Sequence, residues 1–318
     1  MSVQLSEYLV IGISSRALFN LSKEDDIYKN EGLKAYREYQ IKNESEILEP
    51  GAGFPLVKAI LHLNELISGG RTTEVVIMSR NSAETSLRIF NSVKHYGLDI
   101  SRAALTGGAP LSPYLNAFNV SLFLSLYEDD VQSGINSGVA SAILYSPPAK
   151  AEKEIDQIRI AFDGDAVLFS DESEKIYQEE GLEAFVTHEV ENAKKPLSEG
   201  PFAKLLKAIS YIQSKSNLTP APIRTALVTA RNSPAHERVI RTLNGWGVII
   251  DEAFFLGGVE KKEILKAFNP HMFFDDQHTH CNPASQVVPT GRVPYLQNPD
   301  RANLWSSRKD SINADQVL

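Results

Sequence analysis

The chain repeats itself at a distance of about 150 residues, which restricts it to folds built from two similar halves. The segment Ile27-Tyr-Lys-Asn-Glu-Gly-Leu-Lys-Ala-Tyr36 returns as Ile176-Tyr-Gln-Glu-Glu-Gly-Leu-Glu-Ala-Phe185, with six of ten positions identical. Lys58-Ala-Ile60 returns as Lys207-Ala-Ile209, and Arg80-Asn-Ser82 as Arg231-Asn-Ser233. Gly107-Gly108 then matches Gly257-Gly258, and Leu115-Asn-Ala-Phe-Asn119 matches Leu265-Lys-Ala-Phe-Asn269. The matches keep one order and drift by only two residues, which chance does not readily produce. The period is far longer than that of solenoid arrays. It implies two copies of a domain-sized unit, in keeping with the length of 318 residues.

Hydrophobic patterning says what the unit is. Apolar runs at residues 8–13 and 158–162 read as buried strands. Helical stretches follow at 25–42 and 174–191, then at 55–67 and 202–213. Second strands are expected at 75–78 and 224–228, each followed by a helix (82–96, 233–244). Short strands at 103–105 and 253–256 lead to a last pair at 120–124 and 271–274. Strands alternating with helices predict α/β architecture: two tandem, internally duplicated Rossmann-like units with parallel sheets. The expected boundaries are 1–148 for the first unit, a Pro- and charge-rich linker at 149–157, and 158–296 for the second. Residues 297–318 form a C-terminal tail. The stretch at about 170–222 is too long for a simple strand connection and reads as a helical cap insertion that closes over a substrate.

Composition narrows the class. With 42% apolar and 23% charged residues the chain can bury a core. No run approaches the ~20 apolar residues of a membrane span, and residues 1–7 lack the pattern of a secretory signal. The single cysteine, Cys281, excludes an intrachain disulfide, so a cytoplasmic protein is expected. A net charge of −8 argues against a nucleic-acid surface. It leaves room for a small phosphorylated ligand at a local positive site. Self-association into a homo-oligomer stays open.

The halves differ at the C-terminal ends of their strands, where ligands bind in such sheets. The second half carries Asp163-Gly-Asp165, Thr229-Ala-Arg-Asn232, the pair Lys261–Lys262 and Asp275-Asp276. The same register in the first half gives Ser14, Arg16, Met78, Leu111, Ser112, Ser125 and Leu126. Only the second half retains chemistry. A carboxylate attacking a phosphate dianion meets about 4 kcal/mol of repulsion per charge pair at ~4 Å and an effective dielectric of 20. Cations are therefore required: a divalent ion held by Asp163 and the Asp275–Asp276 pair, plus a lysine. Thr229 and nearby N–H groups suit phosphoryl oxygens, and Asp165 suits general acid–base work.

Ile160-Ala-Phe-Asp-Gly-Asp-Ala-Val167 resembles the first motif of the haloacid dehalogenase superfamily. Leu227-Val-Thr-Ala-Arg231 resembles its second motif, Lys261 its third and Phe273-Phe-Asp-Asp276 its fourth. Over roughly residues 8–296 the chain resembles the cytosolic 5′-nucleotidase I family, most specifically in Phe162-Asp-Gly-Asp-Ala-Val-Leu-Phe-Ser-Asp-Glu-Ser-Glu174. Ser14-Ser-Arg-Ala-Leu-Phe19 and Pro270-His-Met-Phe-Phe-Asp-Asp-Gln277 carry it further. The resemblance implies a phosphohydrolase for AMP-like nucleoside 5′-monophosphates, with Asp163 as nucleophile, Asp165 as acid/base, Thr229 on phosphate and Lys261 stabilising charge. It implies Mg²⁺ on Asp163, the Asp165 carbonyl, and Asp275 or Asp276, and substrate contacts along Thr229, Ala230, Arg231, Asn232 and Lys261. Glu260-Lys-Lys262 stands where a single lysine after a proline is expected, so Lys262 competes with Lys261.

Bland readings stand beside these. Arg231 and Asn232 recur as Arg80 and Asn81 in the half without acids, which favours a structural use. Asp276, His278, His280 and Cys281 resemble a zinc set, but an alternating His-x-His on an extended segment rarely gathers one. Tyr177, Phe185, Phe202 and Tyr211 read as core before base-stacking groups. Two other functions stay in view: a phosphatase for another small phosphomonoester such as a sugar phosphate, and a non-catalytic nucleotide sensor.

Overall fold

A computed structural model of the protein describes residues 4–67, 70–146, 157–216 and 218–295. The expected linker, apart from Gln157, and the tail at 297–318 lie outside the described residues. Among the described residues ten strands form: β1 (Leu9–Ile13), β2 (Thr73–Ser79), β3 (Arg102–Leu105), β4 (Leu122–Ser125), β5 (Ala140–Leu144), β6 (Ile158–Phe162), β7 (Ile223–Thr229), β8 (Glu252–Phe255), β9 (Met272–Asp275) and β10 (Thr290–Arg292).

They make one sheet in the order β3-β2-β1-β4-β5-β10-β9-β6-β7-β8. Every neighbouring pair is parallel except β5–β10, where Leu144 faces Gly291 in antiparallel register. Outward from that junction, the orders 5-4-1-2-3 and 10-9-6-7-8 run alike. The sequence pattern misses β5 and β10, and with them the fusion of two expected sheets into one. Ala140-Ser-Ala-Ile-Leu144 and Thr290-Gly-Arg292 have little of the apolar run that marked the other strands. Their pairing covers two edges that would otherwise expose unpaired backbone groups.

Side chains alternate across the sheet, as the two-residue period of a strand requires. Leu9, Ile11, Ile13, Val75, Ile77, Leu122, Leu124, Ile158, Ile160, Phe162, Leu227, Met272 and Phe274 point to one face, where a single apolar core runs through both halves. Helices Phe54–Leu66 and Ala203–Lys215 bury their apolar faces in it. On the other face the core splits in two. Val10, Val76, Met78 and Phe123 pack in the first half, and Ala161, Ala226, Val228 and Phe273 in the second.

Between β6 and β7 the chain forms helices Glu172–Glu191 and Ala203–Lys215. The second is core-packed. The first buries only Ser173, Phe185 and Glu189, and it is broken at Gly181. Its counterpart Ser22–Lys42 is broken at Gly32 with nearly the same backbone angles.

Candidate active site

In the order β10-β9-β6-β7-β8, the chain leaves β6 toward β7 on one side, while β9 lies on the other. That reversal opens a crevice at the C-terminal end of the strands. Asp163 follows β6, its N–H donating to the Phe274 carbonyl at 2.8 Å. Thr229 ends β7, Asp275 ends β9, and Lys261 precedes helix Lys262–Phe268. After Asp163 the backbone winds through residues 164–168 in a wide turn with Ala166 at φ 59°. Gly164 lies against Thr229: a Cβ there would stand 3.2 Å from Oγ1.

These elements gather four charges out of water. Asp163, Lys261, Asp275 and Asp276 are all buried. Lys261 Nζ donates to Asp163 Oδ1 at 2.6 Å and to Asp275 Oδ2 at 2.7 Å. Burial works against its charge, but the two carboxylates outweigh it and raise its pKa. Burial pushes Asp163 up to about 7, with Lys261 opposing and Asp275 reinforcing. Burial likewise raises Asp276 to about 8, helped by the charges of Asp163 and Asp275. Asp275 goes the other way: Lys261 and His280 overcome its desolvation and hold it below the usual carboxylate range.

With all three carboxylates ionised, the one ammonium would leave two negative charges uncompensated, which adds to burial in pushing Asp163 and Asp276 toward their protonated forms. Oxygens of Asp163, Asp275 and Asp276 lie within 4.8 Å of one another, and Asp276 Oδ1 is buried with no hydrogen-bond partner. An all-oxygen set of this charge fits a hard divalent cation.

The remaining sequence candidates divide. Thr229 is buried, its hydroxyl accepting from the Arg231 N–H at 3.3 Å. Ala230 and Asn232 are exposed. Lys262 turns away to Gln286 at 2.8 Å, so of the two lysines Lys261 is the one in the cluster. Arg231 is fully engaged: Nε and Nη2 fork onto Asp165 Oδ2 and Oδ1 at 2.8 and 2.6 Å, and Nη1 donates to Glu189. The His-x-His segment is helical, within His278–Ser285, rather than extended. His278 bonds Tyr145 at 2.7 Å, and the zinc reading gains no ligand set among the described residues.

Sequence reasoning missed Glu189, Arg238 and Tyr295. Glu189 accepts from Arg238 and Ser173, both at 2.9 Å, and the Tyr295 hydroxyl donates to Asp276 at 2.5 Å. Glu189 is one of seven glutamates between residues 172 and 191, and nothing local marks it as the buried one.

The corresponding crevice of the first half is chemically different. The Ser14 hydroxyl accepts from the Ala17 N–H, and Ser125 Oγ accepts from the Tyr127 N–H. Arg16 pairs with Asp25 at 2.7 Å. Met78 and Leu111 are apolar core. Among the described residues this half gathers no metal-binding set.

Sheet, crevice and buried carboxylate–lysine cluster define an α/β protein equipped for a hard cation and an anionic ligand. A family model described as 5′-nucleotidase matches residues 1–300. The chain belongs to the 5′-nucleotidase family. It is 41% identical over 289 residues to cytosolic 5′-nucleotidase 1B of Homo sapiens, an alignment covering 88% of this chain and 47% of that protein. The chain thus spans about half the length of that relative. Among solved structures, a chain of a Pnkp1/Rnl/Hen1 complex aligns at 15% identity and TM-score 0.33, over 92% of this chain and 97% of the other. Histidinol dehydrogenase from Elizabethkingia anophelis aligns at 10% identity and TM-score 0.22, over 89% and 75%. Scores this low give neither alignment weight.

Proposed function

We propose that the chain is a Mg²⁺-dependent phosphohydrolase of nucleoside 5′-monophosphates, working through an aspartyl phosphate on Asp163. The observation that carries the reading is the buried set of Asp163, Asp275 and Asp276 around Lys261, in a chain of this family. The relative's name supplies the nucleotide substrate class.

Asp163 attacks phosphorus, and the bond to the 5′ oxygen breaks as Asp165 gives that oxygen a proton. Water then attacks the aspartyl phosphate, Asp165 takes its proton, and phosphate leaves Asp163. Lys261 holds Asp163 in place and offsets charge, while Thr229 and the N–H groups behind it receive phosphoryl oxygens. Asp163, Asp275 and Asp276 would hold Mg²⁺, with the Asp165 carbonyl as a further ligand. When bound it neutralises negative charge on the phosphoryl group.

The recurring segments and the matching strand orders are read as a tandem duplication, with residues 1–148 as the copy that lost its acids. Paired features support this: Asn119 and Asn269 share φ 52°, and Arg88–Glu24 and Arg238–Glu189 are buried ion pairs from corresponding arginines. Of the stretch 170–222, helix Glu172–Glu191 is the part suited to covering a substrate. Phosphate release should be measured over nucleotides, sugar phosphates and aryl phosphates, with Mg²⁺ and with EDTA. Nucleoside 5′-monophosphates are expected to be preferred and EDTA to abolish release. Full activity in EDTA, or preference for a sugar phosphate, contradicts the reading.

A further inference from the structure

Taking the carboxylate cluster as the Mg²⁺ site proposed above, we infer that Tyr295 is a positioning residue that turns Asp276 toward the ion. We infer also that the first half of the chain holds Tyr295 in place.

The two oxygens of Asp276 are used differently. Oδ2 accepts from the Tyr295 hydroxyl at 2.5 Å, whereas Oδ1 is buried with no partner. In the neighbouring Asp275 both oxygens are committed, Oδ2 to Lys261 and Oδ1 to the Gln277 N–H at 2.9 Å. Asp276 is therefore the member of the pair with an oxygen left over, and the phenol sets where that oxygen points. The terminal torsion of an aspartate is broad on its own, and a donor fixed on one oxygen narrows it.

Tyr295 lies three residues past the end of β10, on a strap held from both sides. On the side of the second half, the Val293 N–H donates to the Asp275 carbonyl at 2.9 Å, which continues the β9–β10 pairing toward the cluster. Val293 and Pro294 are buried. On the side of the first half, Gln132 Nε2 donates to the Tyr295 carbonyl at 2.9 Å, and Arg292 pairs with Glu128 at 2.6 Å. Glu128 and Gln132 are one turn apart on helix Glu128–Asn136, so one helix face grips the strap at two points. The Tyr295 residue is 40% exposed, so packing holds it only in part and the hydrogen bonds at its two ends do the rest.

The repeat supplies a comparison. Ser125 pairs with Ile143 across β4 and β5, as Asp275 does with Arg292 across β9 and β10. That register places Ser146 at the position of Tyr295 and Leu126 at that of Asp276. Donor and acceptor are absent together from the half without the carboxylate cluster. Tyr145, next to Ser146, sends its hydroxyl across the junction to His278 at 2.7 Å and meets none of the three carboxylates.

The test is Mg²⁺ binding to the full chain without substrate, by isothermal titration calorimetry, with Tm in EDTA measured alongside. Tyr295→Phe removes one oxygen and keeps the ring. Its Kd for Mg²⁺ is expected to rise about tenfold or more, with Tm in EDTA unchanged and kcat recovered at saturating Mg²⁺. Gln132→Leu should raise Kd by a smaller factor, although it lies in the other half and touches no carboxylate of the cluster. Tyr145→Phe, which removes a phenol from the same junction, should leave Kd unchanged. An unchanged Kd in Tyr295→Phe would overturn the inference, and so would a tighter one, which would show the phenol masking Asp276. A weaker Kd with an equally lowered Tm in EDTA would make Tyr295 merely structural and overturn it too. An unchanged Kd in Gln132→Leu would overturn the role given to the first half. Wild type that binds no Mg²⁺ would instead overturn the cation reading of the cluster, and this role with it.

Discussion

In the proposed reaction Asp163 attacks as an anion, yet burial works to keep it protonated, so its surroundings must supply positive charge. Lys261 supplies one unit, shared with Asp275. The balance has a measurable consequence in metal-free protein. Asp163 and Asp276 titrate near 7 and 8 when folded, against about 3.9 in an unfolded chain. Groups with raised acid pKa values bind protons on folding, so stability falls as pH climbs from about 4 through 8. Asp275, held low, contributes the opposite slope at more acidic pH. In EDTA, Tm should therefore drop between pH 6 and pH 8.5. Added Mg²⁺ should raise Tm more at pH 8.5, where it displaces fewer protons. A pH-independent Mg²⁺ effect in differential scanning fluorimetry would contradict this account of the cluster.

Helix Glu172–Glu191 is broken at Gly181, and its buried Phe185 and Glu189 lie beyond the break. Gly181 adopts φ 85° and ψ −176°, a region closed to residues with a side chain, and Gly32 does the same in the first half. Gly181→Ala would meet no neighbour, so its effect isolates the backbone. A cost of about 1–3 kcal/mol is expected, read as a Tm several degrees lower and a reduced kcat as Phe185 and Glu189 lose their alignment on Arg231. Unchanged Tm would show that the break is incidental. The repeat makes that glycine visible in the sequence, within Glu180-Gly-Leu182 and Glu31-Gly-Leu33. Strands were equally legible where apolar runs marked them, and so were the acids at their ends. β5 and β10 were not, being short and rich in small or polar residues. Glu189 was hidden for a different reason: in an acidic helix, burial is decided by partners far away in sequence, here Arg231 and Arg238.

Among the described residues, one face of the sheet has a continuous core and the C-terminal strand ends have one buried carboxylate cluster that could hold a metal. The halves share support without sharing chemistry. Ser14 and Ser125 are hydroxyls turned to backbone N–H groups, where Asp163 and Asp275 meet Lys261. In the proposed reaction phosphoryl transfer passes through one residue in one half. The direct measurement is mass spectrometric mapping of acid-quenched enzyme after brief turnover of a nucleoside 5′-monophosphate with Mg²⁺. Phosphorylation is expected on Asp163, at no more than one group per chain, with no phosphoryl-enzyme and no turnover in Asp163→Asn. Phosphate mapped to the first half, or an Asp163→Asn chain that still turns over, would contradict it.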